Sequence, residues 1–346
     1  MSDEPEGTSS KEGPLSVVGD AIGDLVTGIP APVRKNAIKA FNRLFTLGVE
    51  YPVALIEGKI EEKRAETRAR VKLIETSSNQ IAAQIQATPE YARAAFTKFG
   101  QKILRERVNI DQIVQIAAEE LKSEAGSNEP EQADAPSISD NWLNVFESEV
   151  SPISTEQMKR WFGKILAGEI RCPQSYSIKT IKAVAQLDNQ AAALFGTLCA
   201  LSVSIQGSSQ YKLLDARVVS LGHAGSNSLA AYGLGFGALN ILHEYELIIA
   251  DYHSYVDYRM AIVNEAINPA PLRYQNAKWV LVPKSPRQTS EEFRIHGVAL
   301  SHTGKELLPI VDIAPNKPYT AALQSFFDQQ GMTLTRVEPV EAMNEL

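Results

Sequence analysis

The sequence has few cysteines and no long apolar run. Its two cysteines, Cys172 and Cys199, form no CxxC pair, which argues against a disulfide scaffold or a cysteine-rich zinc site and fits a reducing cytosol. Because no run of about 18 apolar residues is present, we expect no membrane-spanning helix. The acidic, polar start MSDEPEGTSSKEGP is the reverse of a signal peptide. These absences predict a cytoplasmic protein.

Motifs of known catalytic chemistry are also missing. The sequence has no P-loop and no GxSxG element, and His243-Glu244 lacks the second histidine of a zinc-binding HExxH helix. Gly233-x-Gly235-x-x-Ala238 matches a weak dinucleotide fingerprint, but no βαβ pattern surrounds it. We therefore predict no catalytic residue, no cofactor and no metal site. A non-enzymatic role is favoured, and an enzyme stays open because active sites assemble from residues distant in sequence.

Charge is distributed unevenly along the chain. The 34 Lys+Arg and 41 Asp+Glu give a net charge of −7. Residues 30–122 carry sixteen bases and eleven acids, net +5, whereas residues 1–29 carry six acids and one base, net −5. The remaining residues, 123–346, carry net −7. A basic segment between acidic flanks indicates a contact with an anionic partner.

Residues 33–48 are the first candidate for that contact, because they predict a short amphipathic helix. Apolar residues on one side and basic residues around it are typical of a helix lying on a membrane surface. The same stripe could instead pack on the N-terminal domain. The first interpretation places the protein at the inner face of the cell membrane, with these contact residues: Arg34, Lys35, Ile38, Lys39, Phe41, Arg43 and Phe45.

The next segment, residues 53–86, carries apolar side chains at steps of three and four around a polar gap. This heptad-like seam predicts a self-associating coiled coil, and hence a homo-oligomer, or an intramolecular helical hairpin, which the polar gap favours. Thr88-Pro89-Glu90 then has the cap and proline of a new helix start. A further helix is predicted over about 109–122.

Domain boundaries follow from composition. Residues 123–139 contain four acids, no base and two prolines, which is typical of a disordered linker. The sequence therefore predicts a disordered acidic tail and soft helix over 1–32, an N-terminal helical domain over 33–122, this linker, a central helical domain over 140–206 and a C-terminal domain over 207–346.

The central domain predicts three capped helices. Ser154 opens the first and Gly168 ends it, Ser177 or Ser175 caps the second, and Asp188 caps the third. If the turn after the first helix binds a partner, the exposed candidates are Glu169, Arg171 and Ser175.

The C-terminal part alternates helix-like and strand-like segments. KWVLVP and FRIHGVALS predict a hairpin, followed by a helix opened by Thr303 to Glu306, a helix over PYTAALQSFFDQQG and a final strand. The fold class is thus mainly α with a C-terminal α+β part, and that part is of winged-helix type. Its candidate recognition helix, ALNILHEYELII, has no Lys or Arg, so nucleic acid is a disfavoured partner, although not an excluded one.

One stretch resembles a known family. DNWLNVFESEV through LDNQAAALF is similar to the bacterial family called domain of unknown function 2806, whose hallmark is matched by Trp161, Ile165 to Ile170, Pro173, Ser177 and Thr180. RERVNIDQIVQIAAEEL and VALSHTGKELLPIV also resemble the family, so the likeness covers roughly residues 65–340.

The resemblance implies little biochemistry, since the family has no settled activity. The arrangement is also similar, more distantly, to the abortive-infection alpha proteins, which implies a role in phage defence. Three hypotheses follow: a non-enzymatic protein at a membrane surface, a nucleic-acid-linked regulator, and an oligomeric scaffold that binds an unknown protein partner.

Overall fold

A computed structural model describes residues 22–45, 88–123, 136–206, 213–222, 227–264, 269–288 and 291–337. The chain divides into two compact units, residues 1–171 and residues 172–346. This division falls inside the predicted central domain of 140–206, and not in the predicted linker. The coiled-coil prediction for 53–86 lies outside the described residues. So do most of the predicted acidic tail and residues 124–135 of the predicted linker.

The described part of the first unit is helical. After a short helical segment at 22–26 it contains α1 (Ala31–Leu44), α2 (Pro89–Ser123), α3 (Asp140–Val150) and α4 (Glu156–Arg171). α2 is one continuous helix of 35 residues, so the prediction of a separate helix at 109–122 is wrong. No proline lies between Pro89 and Ser123, and the single glycine, Gly100, is tolerated inside the helix at a cost of about 1 kcal/mol.

The core of this unit is formed where the C-terminal half of α2 packs on α4. In both helices the apolar residues that recur at helical spacing are buried: Ile110, Ile113, Val114, Ala117 and Leu121 on α2, and Met158, Trp161, Phe162, Ile165 and Leu166 on α4. Gly163 permits the close approach, because a Cβ atom added there would lie 2.4 Å from Ile116 Cγ2. Gly168 lies buried inside α4, so the predicted helix end at Gly168 is wrong.

Asn36 fixes the start of α3 to α1. Its side chain is buried, and its Nδ2 atom donates to the carbonyl oxygens of Pro136 and Ile170 at 3.1 and 3.3 Å. Its Oδ1 atom accepts a hydrogen bond of 3.2 Å from Ile138 N–H. Ile138 is fully buried, so the last residues of the predicted disordered linker are packed against α1. Apolar burial of Ile138 and three amide hydrogen bonds stabilise that conformation.

The second unit begins with α5 (Ile178–Gln186) and α6 (Asn189–Leu201). The predicted caps are confirmed: Ser177 Oγ accepts from Thr180 N–H at 3.2 Å, and Asp188 Oδ1 accepts from Ala191 N–H at 2.7 Å. Later helices are α7 (Phe236–Glu244), α8 (His302–Leu307) and α9 (Lys317–Gln329), with 3₁₀ turns at Ser228–Tyr232, Arg259–Ala261 and Leu308–Ile310.

Within the described residues of this unit, seven strands form one antiparallel sheet. They are β1 (Ser202–Gln206), β2 (Leu213–Val219), β3 (Tyr255–Asp257), β4 (Leu272–Tyr274), β5 (Ala277–Pro283), β6 (Arg294–Ala299) and β7 (Met332–Val337), in the order β3-β6-β2-β1-β4-β5-β7. The predicted strands at KWVLVP and FRIHGVALS are present as β5 and β6. They are not neighbours, because β5 pairs with β4 and β7 whereas β6 pairs with β2 and β3. The predicted hairpin is therefore wrong, and the winged-helix type is not confirmed.

A buried polar network crosses the centre of the sheet. Arg217 on β2 is 2% exposed and makes a bidentate ion pair with Asp215, with Nε–Oδ2 and Nη2–Oδ1 distances of 2.6 and 3.0 Å. Tyr258 Oη donates to Asp215 Oδ2 at 2.8 Å, and burial raises the pKa of Tyr258 well above its ordinary value. Arg217 Nη1 also donates to the Ser254 and Ile295 carbonyls. Through these hydrogen bonds, the Arg217 side chain joins β2 to β6 and to the segment before β3.

Candidate functional site

The predicted membrane-contact residues lie on α1, where most of the apolar stripe faces the protein. Phe41 is fully buried together with Ala37, Ala40 and Leu44. Phe45 is half-buried, and only Ile38 is substantially exposed, at 38%. Phe41 therefore cannot reach a membrane while α1 is packed. The stripe serves the core of the first unit, which was the second of the two interpretations of this segment.

The bases of α1 are largely engaged in contacts within the same unit. Lys39 Nζ lies 3.0 Å from Asp140 Oδ1, and Arg43 Nη2 lies 3.6 Å from Glu147 Oε2. Arg34 Nη2 donates to a backbone carbonyl at 2.9 Å, while Lys35 is exposed. The Lys39 and Arg43 contacts join α1 to α3, whereas Arg34 contacts the segment that precedes α1.

The N-terminal half of α2 presents the exposed apolar surface that α1 lacks. Tyr91, Phe99 and Ile103 are 68%, 67% and 54% exposed. At 100° per residue they fall within about 120° of the helix circumference. We call these three residues the α2 apolar face. The sequence indicates only that these three residues share an apolar side of the helix, because an apolar stripe looks the same whether it faces a core or a surface.

Bases lie along one edge of the α2 apolar face. Lys98, Lys102 and Arg105 project on an arc of about 60° that includes the direction of Tyr91, and all three are exposed. We call them the basic border. Lys102 Nζ lies 3.7 Å from Glu106 Oε1, an exposed pair worth little. Over residues 89–107 there are five bases and two acids, net +3. Apolar and basic groups are thus combined on an accessible surface.

The turn residues predicted as exposed are not exposed. Glu169 is 2% exposed because α4 continues to Arg171, which places Glu169 within the packed helix. Arg171 itself is half-buried. Ser175 is half-buried as well, and its Oγ donates to the Cys172 carbonyl at 2.7 Å, which closes the turn before α5. The prediction that these three side chains offer an exposed contact is wrong.

Glu306 on α8 forms a hydrogen-bonded cluster with the start of α5. Glu306 Oε2 accepts from Ser177 N–H at 2.9 Å, from Ser177 Oγ at 3.1 Å and from Thr180 Oγ1 at 2.5 Å. Its other oxygen, Oε1, lies 2.7 Å from His302 Nε2. We call this cluster the Glu306 clasp. A carboxylate at the N-terminus of a helix also interacts favourably with the helix dipole.

The geometry of the Glu306 clasp fits a structural role. A carboxylate offers about four acceptor sites, and four donors occupy Glu306. Ser177 Oγ donates to Glu306 and not to His302, so the serine is not activated by a histidine base as in a hydrolase triad. Sequence reasoning assigned Glu306 to a cap of its own helix. Ser301 is the cap instead, since Ser301 Oγ accepts from Gly304 N–H at 3.0 Å.

Two absences concern only the described ranges. Within them, no three His, Cys, Asp or Glu side chains converge in a way that could hold a metal ion. None of the helices in those ranges combines the length and the apolar character needed to cross a membrane.

The clasp joins the two segments that carried the family resemblance, Ser177 to Thr180 and His302 to Glu306. A family model described as "Protein of unknown function (DUF2806)" matches residues 92–324, two-thirds of the chain. The chain belongs to this family. The DUF2806 match includes the clasp and nearly all of α2. No curated protein and no solved structure matches the chain.

Proposed function

We propose that the protein associates peripherally with an anionic membrane surface through the α2 apolar face and its basic border. The observation that carries the proposal is the exposure of Tyr91, Phe99 and Ile103 on one side of a helix. Fully burying a side chain such as Phe or Ile contributes about 1.5–3 kcal/mol. This free energy of burial is gained only if another surface covers the three side chains.

The charge of the basic border favours an anionic surface as that cover. A base near an anionic bilayer contributes about 1 kcal/mol. Lys98, Lys102 and Arg105 would lie at headgroup depth when the neighbouring apolar side chains enter the interface. Covering the same face with a second copy would bring two basic borders together, which like-charge repulsion disfavours. The membrane therefore accounts for both the apolar and the basic components.

This proposal transfers the membrane contact from α1 to α2. The contact residues become Tyr91, Phe99 and Ile103, with Lys98, Lys102 and Arg105, in place of the buried or ion-paired side chains of α1. The chemical class of the partner is unchanged. Self-association through 53–86 and a role in phage defence stay predictions.

Vesicle flotation with the full-length protein tests the proposal. Vesicles containing phosphatidylglycerol should recover the protein, and pure phosphatidylcholine vesicles should recover much less. Recovery on the anionic vesicles should decrease when the salt concentration is raised from 50 mM to 500 mM. The reason is that salt screens the electrostatic attraction between the basic border and the anionic lipids. Equal recovery on both vesicle types, or recovery on neither, would contradict the proposal.

A further inference from the structure

The second unit contains a cavity of about 290 Å³ on one face of the sheet. Strands β1, β4 and β5 provide its polar wall through Ser202, Ser204, Arg273 and Lys278. The 3₁₀ segment after α8 and the residues that follow it contribute apolar surface, including Leu308 and Ile313. The volume is close to the lower end for small-molecule sites. None of the described lining residues is an Asp or Glu, so the charged side chains that these residues bring to the cavity are both positive.

Strand register places the two cations side by side. Ser204 on β1 pairs with Arg273 on β4, and Arg273 pairs with Lys278 on β5, so all three side chains share one face of the sheet. Directly opposite side chains have Cβ atoms about 4.5–5.5 Å apart, and like charges in that position destabilise a sheet. Neither Arg273 nor Lys278 forms an ion pair with any described residue. Both side chains are exposed, so solvent screens the repulsion between them, and no described residue supplies a counter-charge.

Ser204 adds a hydroxyl donor to the same wall. The residue is 3% exposed, and its Oγ makes no hydrogen bond to the described part of the chain. Ser202, two residues earlier, has its Oγ satisfied by the Leu198 carbonyl at 2.7 Å. Ser204 Oγ keeps some solvent exposure on the cavity side, so the hydroxyl is free to donate to an acceptor group of a bound ligand. Arg273 and Lys278 place positive charge around the position of that acceptor.

The polar wall is rigidly held. The β4–β5 turn places Gln275 and Asn276 at φ 48° and 58°, the left-handed pair of a tight hairpin. Gln275 Nε2 donates to the Ala200 carbonyl at 3.2 Å and to Tyr274 Oη at 2.8 Å, which ties the turn to the end of α6. A preformed site loses little conformational entropy when it binds.

We infer that this cavity binds a small organic anion, whose carboxylate, phosphate or sulfonate group is held by Arg273, Lys278 and Ser204 while its apolar body lies against Leu308 and Ile313. Two adjacent cations and a hydroxyl donor suit an anionic group with several acceptor oxygens. The apolar surface excludes a fully hydrated inorganic ion as the preferred occupant. This site is independent of the membrane proposal, since it lies in the other unit.

A fluorescence titration tests the inference without any membrane. The probe is 8-anilinonaphthalene-1-sulfonate, an apolar body with one sulfonate. The background is the full chain with Phe99→Gln and Ile103→Gln, so that the α2 apolar face does not bind the dye. Saturable binding is expected, and Arg273→Gln/Lys278→Gln should weaken it about tenfold or more, since hydrogen bonds to charged groups contribute that much. The matched control Lys317→Gln/Arg336→Gln removes two exposed charges outside the cavity and should leave affinity unchanged.

The double substitution removes two exposed like charges that face each other, so we expect an unchanged or raised melting temperature, which checks that the variant is folded. Equal dye affinity in the cavity variant and the control would overturn the inference. The neutral analogue N-phenyl-1-naphthylamine should bind weakly to all variants, and tight binding of it would also overturn the role of charge. Displacement of the dye by an equal concentration of inorganic phosphate would overturn the inference that the ligand has an apolar body.

Discussion

Thr180 and Glu306, 126 residues apart in sequence, are joined by a 2.5 Å hydrogen bond from Thr180 Oγ1 to Glu306 Oε2. Thr180 is completely buried in the first turn of α5, and Glu306 belongs to α8. The bond therefore links α5 to α8 within the second unit. It also joins two of the sequence segments that lie within the DUF2806 match.

Removing the clasp carboxylate should destabilise the second unit. Glu306→Ala leaves Ser177 N–H and Thr180 Oγ1 without their acceptor, and hydrogen bonds to charged groups contribute about 1.5–3 kcal/mol each. We expect a loss of about 3 kcal/mol in the free energy of unfolding, measured by urea titration. His302→Ala is the matched control, because its exposed ion pair with the same carboxylate should contribute less than about 1 kcal/mol. Equal losses in both variants would contradict the role of the clasp.

The close approach of α2 and α4 depends on Gly163. Gly163→Ala would place Cβ 2.4 Å from Ile116 Cγ2 and 2.8 Å from Ile116 Cβ, so the helices must separate or Ile116 must move. We expect a loss of about 1–3 kcal/mol by thermal or urea unfolding. Gly196→Ala, in a helix with no atom within 4 Å of the new Cβ, should instead gain up to about 1 kcal/mol. A stabilising Gly163→Ala would show that the packing is looser than described.

Breaking the buried ion pair should be the most damaging of these changes. Asp215→Asn leaves Arg217 charged and buried without a counter-charge, which costs about 3–5 kcal/mol. Tyr258→Phe removes only one neutral donor to Asp215 and should cost about 1 kcal/mol. Urea unfolding of the two variants in parallel measures both values. A cost for Asp215→Asn no larger than that of Tyr258→Phe would contradict the burial of the pair.

Asp188 should make the stability of α6 dependent on acid pH. The Ala191 N–H bond lowers the pKa of Asp188, with a further contribution from the Tyr245 hydroxyl. A lowered pKa in the folded state gives stability that is present above the unfolded value of about 3.9 and is lost as pH falls through the folded value. Asp188→Asn keeps the cap without a titrating group. The melting-temperature difference between wild type and Asp188→Asn should therefore shrink from pH 6 to pH 3, and a constant difference would contradict this.

Local features were predictable from the sequence. The caps at Ser177 and Asp188 follow from side chains that satisfy free N–H groups at helix starts, and such contacts span only three residues. The apolar stripes of α2 and α4 follow from the 3.6-residue period. Gly331, at φ 75°, follows the end of α9, and a glycine with positive φ is the residue expected just after a helix.

Non-local features were not predictable. Nothing in KWVLVP or FRIHGVALS specifies that β5 pairs with β7 or β6 with β3, because strand pairing depends on the whole sheet. Glu306 could cap its own helix or another one, and local pattern favoured the wrong choice. The stripe of α1 and that of α2 look alike in sequence, yet Phe41 is buried and Phe99 is exposed. Amphipathic spacing identifies a face but not what covers it.

Membrane association through α2 is the central claim, and a matched pair of variants tests it most directly. Phe99→Gln/Ile103→Gln removes most of the α2 apolar face, whereas Leu104→Gln removes an equally exposed apolar side chain about 100° further around the helix. In flotation with phosphatidylglycerol vesicles, the account predicts loss of recovery for the double variant and wild-type recovery for Leu104→Gln. Undiminished recovery of the double variant, or equal loss in both, would contradict it.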